Sequence, residues 1–307
     1  MEEKNPVFQK PSMQLLLIAG LCLLSSIVFS TIAGILTALF FNLNLSGFTD
    51  YNDPNVISGL KFFQLMSAIG LFIIPPIIYG FLITKKPLVA LSIHNFSTPI
   101  NWLLILLIMI VSMPIMSWLV EFNSNLSLPE FLSPLELWMK QSESQAEKLT
   151  QAFLSFYGWS EFLYVFLIVA IIPAFGEEFL FRGVLQPIFT RWTKNYHLAI
   201  WITAILFSAL HMQFYGFIPR MVLGALFGYV FYWSGSLWLS IFGHLINNGS
   251  VVTISFLFPE MIENSEIKLF GEKINIIATV TSAIVVFVLL FLFYSHSKKI
   301  EKIPRNS

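Results

Sequence analysis

Hydrophobic residues run along this chain in long blocks rather than short alternations. Eight blocks approach the roughly 20 apolar residues that a helix needs to cross a hydrocarbon core. They cover residues 13–41, 57–84, 101–120, 160–190, 197–215, 217–233, 236–258 and 274–295. The fourth is longer than a span and is interrupted by a charged stretch, "PAFGEEFLFRG", at 173–183. Pro75 and Pro76 in the second block and Pro114 in the third predict kinks, because proline withdraws a helical donor. The segment from about 133 to 155 follows another pattern. Leu135, Trp138, Ala146, Leu149 and Phe153 gather near one helical face while Glu136, Lys140, Glu143 and Lys148 lie elsewhere, which suits a helix lying in the membrane interface. A connecting role for it is preferred over a role as substrate gate. The expected fold class is all-α: a polytopic membrane helical bundle of about eight transmembrane helices plus one interfacial amphipathic helix.

Composition agrees. Of 307 residues, 56% are hydrophobic and 11% charged, against roughly 25% charged in a soluble domain. A net charge of zero excludes a broad nucleic-acid-binding surface. The single cysteine, Cys22, lies in the first apolar block, so neither a disulfide framework nor a thiolate metal cluster is expected. The first block is as long as a full span, which predicts a retained helix rather than a cleaved signal peptide. Three regions are expected: an N-terminal three-span part with the interfacial helix (1–155), a core holding the charged motif (156–260), and a last span with a basic tail (261–307).

Lys and Arg placement sets the predicted orientation. Lys85 and Lys86 follow the second block, Arg191 and Lys194 the fourth, and Lys298, Lys299, Lys302 and Arg305 the last. The opposite loops are acidic, with Asp50, Asp53, Glu121, Glu130, Glu136, Glu143, Glu147, Glu260, Glu263, Glu266 and Glu272. Both termini are therefore expected in the cytoplasm, with the chain integral to the cell (plasma or inner) membrane.

Six ionisable residues in those blocks draw attention: Glu177, Glu178, Arg182, His211, Arg220 and His244, all between residues 177 and 244. A charge at bilayer depth costs several kcal/mol (about 3 on insertion scales), so each needs a partner or a purpose. Glu178 and Arg182 are four apart with the acid first, the favourable order for an ion pair on one helix face. Glu177 is rotated about 100° from Glu178 and so is poorly placed for the same arginine. Pro173 would leave the Val169 carbonyl without its helical donor, and Gly176 and Gly183 permit close helix approach. Arg220, after Pro219, reads as an interfacial anchor.

Two further stretches join them. In "FSALH", Phe207 and His211 share a face; in "HLINN", His244 and Asn248 do, with Asn247 beside them. Residues 177–193 and 195–211 can form a helical hairpin with Glu177 and His211 at similar depth, about 24 Å from the turn, and His244 and Asn248 fall about 14 to 20 Å up their own helix. Three helices can thus present Glu, His, His and Asn to one cavity. Glu177, held apart from a countercharge, suits a general base acting on water. The histidines and the amide could stabilise an oxyanion. Alternatively His211, His244 and Glu177 could bind Zn2+ and leave a position open for water. The residues leave metal and metal-free mechanisms both open. Rival readings are a proton-coupled transporter and a non-catalytic bacteriocin-immunity membrane protein.

"EEFLFR", "FSALH" and "HLINN" match E-E-x-x-x-R, F-x-x-x-H and H-x-x-x-N in order. The chain resembles the CPBP intramembrane proteases: type II CAAX prenyl endopeptidases, bacteriocin-processing and Abi proteins. The resemblance covers about residues 160–258. It implies a helical membrane endopeptidase with Glu177 as water activator, His211 and His244 as catalytic or metal-site residues, Asn248 as oxyanion partner, and Glu178 and Arg182 as a supporting pair. It also implies a lipid-embedded protein acting on a peptide or (in some members prenylated) protein substrate.

Overall fold

The computed structural model describes residues 10–41, 43, 50–51, 53–84, 87–156, 158–260 and 275–301, and no strand occurs among them. The charges at Lys85, Lys86, Glu263, Glu266, Glu272, Lys302 and Arg305, on which part of the orientation argument rests, lie outside the described residues. The chain is an all-α polytopic membrane protein. Its longer helices among the described residues are α1 (Pro11–Phe41), α2 (Pro54–Thr84), α3 (Pro99–Val111), α4 (Met113–Ser124), α5 (Ser133–Phe153), α6 (Trp159–Thr193), α7 (Tyr196–Ala209), α8 (Phe217–Ser234), α9 (Leu237–Leu257) and α10 (Ile276–Glu301).

Five of these helices are long and apolar enough to cross a membrane, and a sixth span results if α3 and α4 count as one. Helices stand at all eight expected blocks, but α7 has only 14 residues, short of the roughly 20 that a span requires. α3 and α4 meet at 46° across Ser112, the bend that Pro114 predicts. Pro75 and Pro76 do not break α2. There the helix instead takes a π turn at Ile69–Ile73.

Local chemistry sets the ends. Asp53 caps α2 by accepting from the Asn55 amide, with Pro54 in the first turn. α6 stops at Lys194 in the left-handed region (φ 55°), and Asn195 starts α7 by accepting from the amides of His197 and Leu198. Gly235 (φ 64°) ends α8, a conformation with little steric cost for glycine alone.

α1 and α10 are apolar on every side and keep large residues outward, Leu16, Leu39, Phe40, Ile277 and Phe287 each more than 60% exposed, as lipid-facing helices should. The core lies elsewhere. α9 packs against α3, α6 and α8, while α7 packs against α8 and the second half of α6. The amphipathic α5 runs alongside, with the Trp138 ring tilted against Phe214 at 5.3 Å. On its exposed side Lys140 lies 2.8 Å from Glu136, and that hydrogen bond holds the Glu136 carboxyl below its ordinary value.

Candidate active site

Helix α6 carries the charged motif, and prolines shape it. A proline at position i cannot donate to the carbonyl at i−4, whereas a π turn lets that carbonyl bond the next amide along. Each π segment here precedes such a proline: Ile69–Ile73 before Pro75 and Pro76, Phe166–Ile171 before Pro173, and Phe179–Leu185 before Pro187. Two of the deprived carbonyls also receive side-chain donors. The Cys22 thiol lies 3.8 Å from the Leu71 carbonyl, and Asn248 Nδ2 donates to the Val169 carbonyl at 3.1 Å.

Glu178, Arg182 and Gln186 follow at four-residue steps on one buried face. Arg182 Nη1 donates to Glu178 Oε1 at 2.8 Å, and both side chains are sealed from solvent. Arg182 Nη2 reaches across to the Gly224 carbonyl at 2.8 Å, and Gln186 Nε2 to the Gly228 carbonyl at 3.0 Å. The glycines make this possible: a Cβ on Gly228 would come within 2.9 Å of Gln186 Oε1 and of Ile200. The guanidinium also sits 4.9 Å over the Phe207 ring and 5.7 Å from Phe227, a cation held by ring faces as well as by its carboxylate.

His244 joins the two glutamates. Its Nδ1 lies 2.9 Å from Glu178 Oε1, so it carries the hydrogen, and its Nε2 lies 3.8 Å from Glu177 Oε2. Phe227 stacks on the imidazole at 5.5 Å and Phe207 meets it edge-on at 5.9 Å, which fixes the ring plane. Glu177 is 8% exposed, and its Oε2 makes no hydrogen bond. The two neighbouring carboxylates are therefore unlike. Glu178 Oε1 accepts from two donors, Arg182 and His244, while its Oε2 makes no hydrogen bond; Glu177 Oε2, also unbonded, faces His244 Nε2 at 3.8 Å.

His211 enters from the end of α7. Its Nδ1 donates to the Phe207 carbonyl at 2.8 Å, which leaves Nε2 as the nitrogen with a lone pair in the neutral ring. The turn after it is pinned from four sides. Buried Asn123 of α4 donates to the Phe214 carbonyl at 2.9 Å and accepts from the Ile218 amide at 2.6 Å. Ser208 donates to the Phe217 carbonyl, Glu143 of α5 accepts from the Tyr215 amide at 3.3 Å, and Arg220 bonds Gln213.

Of the residues singled out in the sequence, Glu177, Glu178, Arg182, His244 and Phe207 come into direct contact. His211 reaches the cluster through Phe207, whose ring is 5.0 Å from its own. Asn248 is turned toward Val169, and its Oδ1 accepts from Asn247. Gln186 and Asn123 escaped the sequence reading. The four-residue step from Arg182 would have exposed Gln186; nothing local marks Asn123. A further ion pair, Lys61 with Glu161, ties α2 to the start of α6; its signal was simply a charge within an apolar block. Among the described residues no three His, Cys, Asp or Glu side chains converge as a metal-binding set. His211 Nε2 is free in the way a metal ligand's would be, but the donor set for zinc does not come together here.

Comparison with known proteins gives three findings. Residues 159–250 match a family described as type II CAAX prenyl endopeptidase Rce1-like. Over 84 residues the chain is 31% identical to the uncharacterized protein YpbD of Bacillus subtilis (strain 168), a stretch that makes up 26% of this chain and 40% of that protein. No solved structure matches the chain.

Proposed function

Through residues 159–250 this chain belongs to the CPBP family of intramembrane proteases, and from that premise we propose that it is an endopeptidase in which Glu177 activates water against a peptide bond. The observation that carries the reading is the contrast between the two glutamates. Glu178 holds Arg182 and His244 through Oε1 and keeps an unbonded Oε2 with no solvent exposure, while Glu177 Oε2 is unbonded and faces His244 Nε2 at 3.8 Å. A carboxylate kept without a partner in a helical core is costly unless it acts.

In this mechanism Glu177 takes one proton as a water oxygen attacks the scissile carbonyl carbon, and His211 Nε2 accepts a hydrogen bond from the other hydrogen, which stays on that oxygen. The oxyanion that forms is met by the Nε2–H of His244 in its imidazolium form, which stays protonated through the step while its Nδ1–H is held by Glu178. Asn248 contributes the second hydrogen of its Nδ2, the first being held by Val169. The carbon–nitrogen bond then breaks, and Glu177 returns its proton to the departing amine. Water and peptide are converted to one acid and one amine. Bound zinc would supply Lewis acidity, but with no converging donor set no step is routed through it.

The substrate in this reading is a membrane-associated peptide or protein, a CAAX-type end or a leader or propeptide. The Lys and Arg pattern has both termini in the cytoplasm. The test is cleavage of a quenched fluorescent peptide library by purified protein in detergent or liposomes, alongside Glu177→Gln and His211→Ala. Loss of a general base lowers turnover by about 10²- to 10⁴-fold, and activity is expected to survive exhaustive chelation. Undiminished cleavage by both variants would sink the enzyme reading. Loss on chelation with rescue by zinc would replace the metal-free version with a metal one.

A further inference from the structure

Charge around the site does not balance within the Glu-Glu-Arg motif. Arg182 is spent on Glu178 and on the Gly224 carbonyl, so Glu177 has no cation of its own. One other arginine lies near. Arg220, in the first turn of α8, bonds Gln213 two residues after His211 and stands one helical turn before Gly224, whose carbonyl holds Arg182. It nevertheless has no carboxylate within salt-bridge distance among the described residues. Its contacts are to neutral groups: Gln213 Oε1 at 2.8 Å and the Gln213 carbonyl at 3.4 Å.

That state is unlike the other cations of the helical core. Arg182 has Glu178 at 2.8 Å, and Lys61 has Glu161. A half-buried guanidinium without an anion is an incomplete arrangement in a membrane protein. It is also a fixed one. A Cβ on Gly216 would lie 3.1 Å from Arg220 Nη2, so the guanidinium rests against a residue with no side chain, on the same pinned turn that carries His211.

Resting on the endopeptidase reading, we infer that Arg220 is a specificity-determining residue that receives a carboxylate of the peptide substrate beside the scissile bond. The planar guanidinium suits two parallel bonds to a carboxylate. A peptide offers that chemistry from two sources, its terminal carboxylate or an Asp or Glu side chain. Glu143 is the internal competitor. It is held on α5 by the Tyr215 amide, and its charge acts on Arg220.

Binding to the Glu177→Gln protein separates recognition from hydrolysis. Three fluorescent peptides are compared by anisotropy: one free of Asp and Glu with a terminal carboxylate, its terminal amide, and the amide with Glu as last residue. One or both carboxylate peptides should bind about 10-fold or more tighter than the plain amide, and which one does so names the source. Adding Arg220→Gln should erase the difference, and Arg220→Lys should restore part of it. Glu143→Gln should widen it, which keeps the test open if the arginine variant fails to fold. Equal binding of all three peptides, or a preference that survives Arg220→Gln, overturns the inference. Turnover by the wild-type chain is measured in parallel: preference without turnover sinks the endopeptidase reading alone, and turnover without preference sinks this one alone.

Discussion

Glu178 and Glu177 are adjacent in sequence, yet their removal should have opposite consequences. In Glu178→Ala the buried Arg182 loses its carboxylate and His244 loses the acceptor at its Nδ1, contacts of 2.8 and 2.9 Å in a side chain with no solvent exposure. Breaking a buried pair from one side costs about 3–5 kcal/mol. Arg182 keeps its bond to the Gly224 carbonyl and the Phe207 face at 4.9 Å, and such a ring contact is worth up to about 2 kcal/mol when dry. The lower end, about 3 kcal/mol, is therefore expected. Glu178→Gln keeps an oxygen for both donors and should lose about half as much, since a neutral acceptor roughly halves a charge-assisted bond.

Glu177→Ala removes an oxygen that makes no hydrogen bond. Its effect on stability should stay within about 1 kcal/mol, of either sign, while turnover falls by about 10²- to 10⁴-fold. The assay is unfolding of detergent-solubilised protein by heat or SDS, paired with peptide cleavage on the same preparations. A Glu178→Ala, Arg182→Ala double variant should be less destabilised than the sum of its parts, because the two share one interaction. If Glu177→Ala unfolds as readily as Glu178→Ala, or if Glu178→Ala unfolds like the wild type, the division of roles is wrong.

Two other outcomes are expected. Pro173→Ala returns an amide to the Val169 carbonyl and should stabilise the chain by about 1–2 kcal/mol, less than the roughly 3 kcal/mol of an interior proline because the π turn and Asn248 already compensate; turnover should fall as Glu177 shifts in register, and unchanged turnover would refute that link. Asn123→Ala removes both bonds that α4 makes to the turn after His211, so backbone amides at 214–218 should exchange faster with deuterium and cleavage should slow; unaltered exchange there would show that Asn123 is no clamp.

Local spacing made part of this legible in the sequence. The helical blocks, the bend at Pro114, the amphipathic helix α5 and the Glu178–Arg182 pair all follow from contacts within four residues or from periodicity over a few turns. What escaped depends on chain brought from far away. Glu178 meets His244 across 66 positions, Lys61 meets Glu161 across 100, and Asn123 reaches the α7–α8 turn across 95. No periodicity encodes such pairings, because they arise only when helices pack. The count of eight spans is not reached for another reason: α7 stops at Ala209 after 14 residues, before the turn carrying His211, and α8, with 18 residues, is not among the helices long and apolar enough to cross.

The prolines show where a correct rule was followed too short a distance. In the sequence Pro75, Pro76 and Pro114 predict kinks and Pro173 a Val169 carbonyl without its donor, yet every carbonyl so deprived also needs a partner. At Pro114 the helix bends by 46°; at Pro75, Pro173 and Pro187 it widens into a π turn and stays continuous. At Pro173 the consequence reaches the site itself. Asn248, paired in the sequence with His244 by spacing alone, spends one of its donors on the carbonyl that Pro173 deprives. That bond ties α9 to α6 just before Glu177 and leaves Asn248 one amide hydrogen. The same proline thus fixes the register of Glu177 and the aim of the group opposite it, so the unpaired carboxylate is held in place by a defect in its own helix.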